Sequence, residues 1–282
     1  MYTWDMSGAN TSQAIDYIRF FNWSMSYRRD SDIPFPYGFI RPQSSMTSLP
    51  THIKQDLDRL IKSTLNQTIV NKKKNNESSA VVAWMVSHCS THGRREDYVK
   101  QLKHFIPVDI YGSCGKLNCY RNPAVGDSSP ECYAELERRY KFYLSFENSI
   151  CTDYVTEKFF QILKHNMVPV VYGGADYSSI APPYSYIDAR QFKPHELAIY
   201  LEKLAANETL YNEYFWWKEY YDVEAGQEQM IKRGMCDLCK KLHQDNQHKV
   251  YENILSHWVT DNQCVKVSRR PLKIMNDSID TL

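Results

Sequence analysis

Residues 147–158 read ENSICTDYVTEK and set a cation, a carboxylate, an amide and a phenol in one short stretch. Lys158 carries three donors and no acceptor, whereas the ionised Glu157 beside it only accepts. A lysine in the first turn of a helix runs against the macrodipole, which favours anions there. Its presence implies that an anion comes to that spot. Glu157 does not suit the same anion, but it can accept from sugar hydroxyls. The segment therefore offers donors for a phosphate and an acceptor for a ribose. Taken alone, a Lys–Glu pair is by default a solvated helix face. Asn148 and Tyr154 alongside it are what argue for a site.

The flanking pattern says which elements must hold these residues. Phe142–Phe146 is a short apolar and aromatic run that suits a strand. Tyr154–His165 carries Val155, Phe159, Ile162 and Leu163 at helical spacing. Met167–Tyr172 is a continuous valine-rich run closed by Gly173 and Gly174, as expected of a strand buried on both faces of a parallel sheet. Strand, helix and strand at this length make a βαβ unit, with the first strand's C-terminal end facing the helix N-terminus. Thr152 and Asp153 are the expected N-caps. The free N–H groups behind them would form an anion site.

A second such unit precedes it. Residues 80–87, AVVAWMVS, predict a buried strand, Arg95–Phe105 a helix, and Pro107–Tyr111 the next strand. Arg95 then opens its helix as Lys158 does. Ligands of such sheets bind outside the C-terminal strand ends, so Arg95 and Lys158 are expected to converge on one diphosphate. Further on, Ser185–Asp188 reads as a strand, Pro194–Ala206 as a helix and Glu208–Tyr221 as an aromatic helix. Its Phe215, Trp216 and Trp217 are expected to fasten a C-terminal helix across a domain interface.

Composition narrows the class. The 282 residues are 43% hydrophobic with a net charge of +1, which supports a sizeable core and gives no field for nucleic acid. The longest apolar run, Ala80–Val86, is far short of the roughly 20 residues of a membrane helix. Eight cysteines and six Asn-X-Ser/Thr sequons (Asn10, Asn22, Asn66, Asn76, Asn207, Asn276) point instead to the secretory pathway. The N-terminal MYTWDMSGAN is neither leader nor anchor, so the expectation is a chain missing its N-terminal part.

FENS followed by DYVTEK resembles the donor-site motif of the α1,3-fucosyltransferases, glycosyltransferase family 10, in an invertebrate-like form. FNWSMSYRRDSDIPFPYG (21–38), AWMVSHC (83–89), Arg95 and VPVVYG (168–173) match in the same order, so the likeness runs from about Asn22 to Cys239. The resemblance implies GDP-fucose as donor, with Lys158 and Arg95 on its diphosphate, Glu157 on the ribose, and Asn148 and Tyr154 lining the donor. It implies inverting transfer to an N-glycan or glycoprotein acceptor, no required metal (a divalent ion at most stimulates), and a Golgi lumen location behind an N-terminal membrane anchor.

The fold it implies is α/β and GT-B-like: two Rossmann-type domains facing across a cleft, the first incomplete. Residues 1–65 would be the remnant of the acceptor-side domain, 66–79 a linker, 80–225 the donor-binding domain and 226–282 a cysteine-containing tail. In the remnant, Thr11–Trp23 and Leu49–Leu65 have helical patterns. The family's general base is a glutamate in an ESP-type motif. Here Met6 falls at that position, and Asp5 could serve only with the register slipped by one. His88 stands where the family often has asparagine.

Asp30-Ser31-Asp32 reads as loop structure rather than a metal site, since it lies outside any βαβ unit. In the tail, Cys236, Cys239 and His243 have half of a zinc spacing but no evident second ligand pair. The resemblance favours C-terminal disulfides, whose pairing the sequence leaves open, and short disulfide loops are expected around Cys114, Cys119 and Cys132. Cys89, at a strand end, is read as a free thiol.

Overall fold

The computed structural model describes residues 19–43, 58, 59, 62, 81–119, 130–245, 247–253, 264, 265 and 267. Its centre is a five-stranded parallel sheet of β4 (Val82–Met85), β5 (Val108–Tyr111), β6 (Phe142–Phe146), β7 (Val168–Tyr172) and β8 (Ile187–Asp188), in the order β5-β4-β6-β7-β8. Three crossover helices link the strands: α1 (Arg95–Leu102), α2 (Pro130–Arg139) and α3 (Glu157–Leu163). Beyond β8 come α4 (Pro194–Ala205), α5 (Glu208–Asn212) and α6 (Gln227–Gln244).

Strand side chains alternate between faces, and here both faces are covered. Val82, Trp84, Phe142, Leu144, Phe146, Val168 and Val170 pack with Tyr98, Val99 and Leu102 of α1 and with Leu197 and Leu201 of α4. The opposite set, including Ala83 and Tyr143, packs on Cys132, Tyr133 and Leu136 of α2 and on Ile162 of α3. Val171 meets Phe159, Phe160 and Leu163 of α3. Covering on both sides is why β4 and β7 read as unbroken apolar runs and β6 is broken only by Ser145.

Two smaller pairings flank this sheet. β1 (Met25–Ser26) runs parallel to β2 (Ile33–Pro34), and β3 (Gly38–Pro42) runs antiparallel to β9 (Tyr221–Ala225). Asp32 ties this N-terminal segment to the tail: it accepts from the Ser24 main chain (2.9 Å), from the Tyr251 hydroxyl (2.6 Å) and from Lys249 (2.7 Å). Asp30 pairs with Arg28. Both aspartates of the Asp-Ser-Asp triplet are thus engaged in holding chain segments.

Several expectations are corrected. The aromatic stretch after α4 is not one helix. α5 gives way to a 3₁₀ segment, Glu213–Glu219, and then to β9 at Tyr221. Its buried Trp217 packs with Val155, Phe159 and Ala225 against α3 and β9. Cys89 is not a free thiol but is bonded to Cys114, and Cys119 is bonded to Cys132. The C-terminal bridge runs from Cys264 back to Cys151, while Cys236 and Cys239 are exposed, unbonded thiols on α6. Among the described residues no His, Cys, Asp and Glu side chains cluster to hold a metal. Asp5, most of the remnant helices and the 66–79 linker lie outside the described residues. Of the 49–65 pattern, Asp58, Arg59 and Lys62 are described and are helical.

Candidate functional site

The strand order fixes where a ligand crevice opens. From β4 the chain steps outward to β5, then crosses back through α2 to β6 on the other side of β4. The sheet therefore reverses direction between β4 and β6, and their C-terminal ends border the crevice of a doubly wound sheet. The loops leaving those ends are residues 86–94 and 147–156. They contain or lead directly into the five residues expected at the donor, Arg95, Asn148, Tyr154, Glu157 and Lys158.

Main-chain contacts lock the two loops together. The Gly93 N–H donates to the Asn148 carbonyl at 2.8 Å. A Cβ on Gly93 would lie 3.0 Å from that same oxygen, which is why the smallest residue sits there. Arg95 adds two more ties, its guanidinium donating to the Phe146 carbonyl and, at 3.4 Å, to the His88 carbonyl. From the other side Gly174 admits the 147–156 loop, since a Cβ there would fall 2.5 Å from the Cys151 nitrogen. The Cys151–Cys264 bridge and a main-chain bond from Val265 to Ile150 (2.8 Å) hold the loop's middle.

The helix start differs from the expected one. α3 begins at Glu157 with Thr156 as its cap, and neither Thr152 nor Asp153 caps it. Asp153 instead takes a left-handed turn (φ 59°), accepts from the Arg29 main chain at 3.2 Å and pairs with the Arg29 side chain at 3.4 Å. The Thr156 N–H and hydroxyl both go to the Glu147 carboxylate, at 2.8 Å each for the shorter contacts. A tertiary acceptor has displaced the local caps. The anion at this helix start is therefore Glu147, which is fully buried. The sequence reading passed over it, although a charged residue ending a buried strand was a signal that could have found it.

Lys158 stands in this group. Its ammonium donates to the Thr156 hydroxyl (2.7 Å) and to Glu157 (3.0 Å), and it lies 3.5 Å from Glu147. Burial works to lower the lysine's pKa, but Glu147 and Glu157 outweigh it and hold the value above the ordinary one. Burial likewise works to raise Glu157, which the Lys158 ammonium overrides, so that carboxyl lies below its usual range. Glu147 goes the other way: burial lifts it, and Lys158 and Thr156 only partly offset the rise.

Arg95 is not a surface helix charge. It is 2% exposed, lies over the Trp84 ring at 5.6 Å, and has a pKa lowered by burial against the pull of Glu147. Arg95 bonds the carbonyl of Phe146, the residue before Glu147, and Lys158 approaches Glu147 to 3.5 Å, so the two cations meet the same strand end. Buried polar atoms there without a hydrogen-bond partner are the Arg95 Nε donor and the Asn148 Oδ1 acceptor, together with Trp84 Nε1 and the Tyr177 hydroxyl deeper in. Buried polar groups are nearly always paired, and Arg95 and Asn148 are the two of these that border the crevice loops. Tyr154 is half-buried, its ring 5.1 Å from that of Tyr27. The SYRRDSD segment thus rests on the 147–156 loop, a contact the sequence did not reveal.

A family model described as glycosyltransferase family 10 (fucosyltransferase) C-term matches residues 71–258. Alpha-(1,3)-fucosyltransferase C of Drosophila melanogaster is 41% identical over 254 residues, covering 89% of this chain and 56% of that protein. Glycoprotein 3-alpha-L-fucosyltransferase A of Drosophila melanogaster is 36% identical over 266 residues, covering 92% and 47%. A crystal structure of an alpha1,3-fucosyltransferase with GDP-fucose aligns with a TM-score of 0.48 at 18% identity, covering 82% of this chain and 72% of that one. The chain spans about half the length of the curated relatives it matches.

Proposed function

The chain belongs to glycosyltransferase family 10, the fucosyltransferases, and from that premise we propose that it binds GDP-fucose at the β4–β6 crevice and moves L-fucose, with inversion, to a hydroxyl of an N-acetylglucosamine-containing glycan in α1,3 linkage. The observation that carries the reading is the pair of partnerless buried atoms, Arg95 Nε and Asn148 Oδ1, beside the half-buried Lys158. A donor and an acceptor left open next to a cation suit a diphosphate flanked by sugar hydroxyls.

The chemistry asks for two things. Charge growing on the departing diphosphate must be met by fixed positive groups in a site screened from water. Lys158 and Arg95 serve that role here, Arg95 through the edge it keeps free of main-chain bonds. Glu157, 35% exposed, accepts from the ribose, and Asn148 and Tyr154 border the donor. The acceptor hydroxyl must also lose its proton to a base as it attacks. Asp5 is the candidate in this chain. The reading extends to a GT-B arrangement, with residues 80–225 as the donor-binding domain opposite an acceptor-side domain to which residues 1–65 contribute. It also extends to work in the Golgi lumen, a location supported by the six sequons and by the disulfides.

A second reading, a donor-binding chain without transfer, draws on one observation: WDMSGAN offers Met6 where the family has its base. Calorimetry of the whole chain with GDP-fucose, GDP-mannose and UDP-galactose, followed by a transfer assay on an N-acetylglucosamine-terminated acceptor, separates the two. Selective GDP-fucose binding with transfer supports the enzyme. Binding without transfer supports the second reading. The absence of any nucleotide binding refutes both.

A further inference from the structure

The structure assigns Glu147 the role of a positioning residue: its carboxylate sets the hydrogen-bond polarity of the Thr156 hydroxyl and so aims the Lys158 ammonium into the crevice. This rests on the reading of Lys158 as a diphosphate ligand and goes beyond it, since Glu147 is not among the residues proposed to touch the donor.

The argument is one of donors and acceptors. An ammonium can only donate, so in the 2.7 Å contact between Lys158 Nζ and Thr156 Oγ1 the hydroxyl oxygen accepts. The hydroxyl's single hydrogen must then point elsewhere, and Glu147 Oε2 stands 2.8 Å away. The other carboxylate oxygen takes the Thr156 N–H at 2.8 Å. The relay has one direction, Lys158 to Thr156 to Glu147, with Oε2 the nearer acceptor for the hydroxyl and Oε1 the farther one at 3.1 Å.

Nothing in this relay is loose. Glu147 is 0% and Thr156 1% exposed. Gly173 closes over Glu147, since a Cβ on that glycine would come 3.3 Å from Glu147 Cγ. A buried ionised carboxylate is costly unless it is paired and hydrogen-bonded. Packing alone gives no reason for one here, and an apolar residue would fill the place. Lys158 by contrast is 18% exposed, so its ammonium is held by this group while part of the side chain stays open to solvent.

Glutamine at this position is the decisive perturbation. Its carbonyl can still accept from the Thr156 N–H, but its NH₂ group then faces the Thr156 hydroxyl and an ammonium 3.5 Å off. The hydroxyl is left with only the longer 3.1 Å contact to the remaining oxygen, and the ammonium exchanges a carboxylate neighbour for a donor, with almost no change in shape.

The experiment is GDP calorimetry on the full chain with E147Q, T156V, T156S, K158A and the double variant E147Q/K158A, with thermal midpoints alongside. E147Q and T156V are each expected to weaken GDP binding on the order of tenfold. T156S, which keeps the hydroxyl, is expected to restore it. In the K158A background E147Q is expected to add nothing, because the two residues act as one unit. Where transfer is measured, the donor KM rises and the acceptor KM stays. Wild-type GDP affinity in E147Q or T156V, or losses that multiply in the double variant, would overturn the assignment. If E147Q does not fold, T156V and T156S decide it alone. A K158A chain that binds GDP normally sinks the reading of Lys158 and this inference with it. Loss in K158A with none in E147Q sinks only the inference.

Discussion

Replacing Cys264 by serine cuts the covalent tie between the tail and the loop that carries Asn148 and Tyr154. The bridge closes a span of 113 positions. On the chain-entropy account, a loop that long restricts the unfolded state by about 5 kcal/mol, and native bridges usually return about 2–4 kcal/mol of it. For a chain of this size that corresponds to a fall in Tm of roughly 3–7 °C. The substitution is a clean one. Cys264 is exposed, and Cys151 is 1% exposed, so the thiol left there sits in the interior as a small apolar group. The local consequence follows from the same geometry. With the tie gone, only main-chain bonds such as Val265 to Ile150 hold the tail to the loop, and the crevice loses part of its order. Differential scanning calorimetry and GDP titration of Cys264→Ser against the unaltered chain test both effects. GDP affinity is expected to drop up to about tenfold, equivalent to about 1.4 kcal/mol. An unchanged Tm would refute the loop-closure reasoning. A lowered Tm with unchanged affinity would refute the claim that this bridge orders the site.

Lys158→Ala and Glu157→Ala are each expected to weaken GDP binding by about 1.5–3 kcal/mol, the range of hydrogen bonds to charged groups, and unaltered calorimetric affinity in both would remove these residues from the donor site. Arg95→Ala strands the carbonyls of Phe146 and His88 and is expected to cost about 2–4 kcal/mol of folding stability, read from the urea midpoint; a neutral result would mean the guanidinium is no staple. Asp32 predicts an acid limit. Burial acts to raise its carboxyl, but the bonds from Lys249, Tyr251 and Ser24 prevail and hold it well below the usual range. The stability it supplies is therefore present above the unfolded value, near about 4, and is lost as pH falls below it. The Tm gap between the unaltered chain and Asp32→Asn should be open at pH 7 and narrow towards pH 3, whereas a gap constant with pH would exclude this linkage.

Much of the sheet was legible in the residue order. Val82–Met85 and Val168–Tyr172 read as buried strands, because an apolar residue at every position leaves no face for water, and Phe142–Phe146 read as a strand from its apolar and aromatic residues. The helix with Phe159, Ile162 and Leu163 could be read from its period, and Arg95 could be put at the start of its own. That Lys158 required an anion also followed from the helix dipole. What the order did not contain was the anion's identity. By residue type Asp153 was a better local cap than Thr156 and Thr152 an equal one, yet Glu147, nine residues before Thr156, decided the start of α3. Arg95 read as a diphosphate ligand, but its burial and its bonds to the Phe146 and His88 carbonyls came only from the approach of two loop main chains. Cys89 read as a free thiol, and only the neighbouring loop brought Cys114 to it. Periodicity and propensity act through bonds between residues a few positions apart, so one strand of letters carries them. A carboxylate's partner, an arginine's burial and a cysteine's mate depend on which loops the crossover connections bring side by side, and that is settled only when the sheet has closed over its helices.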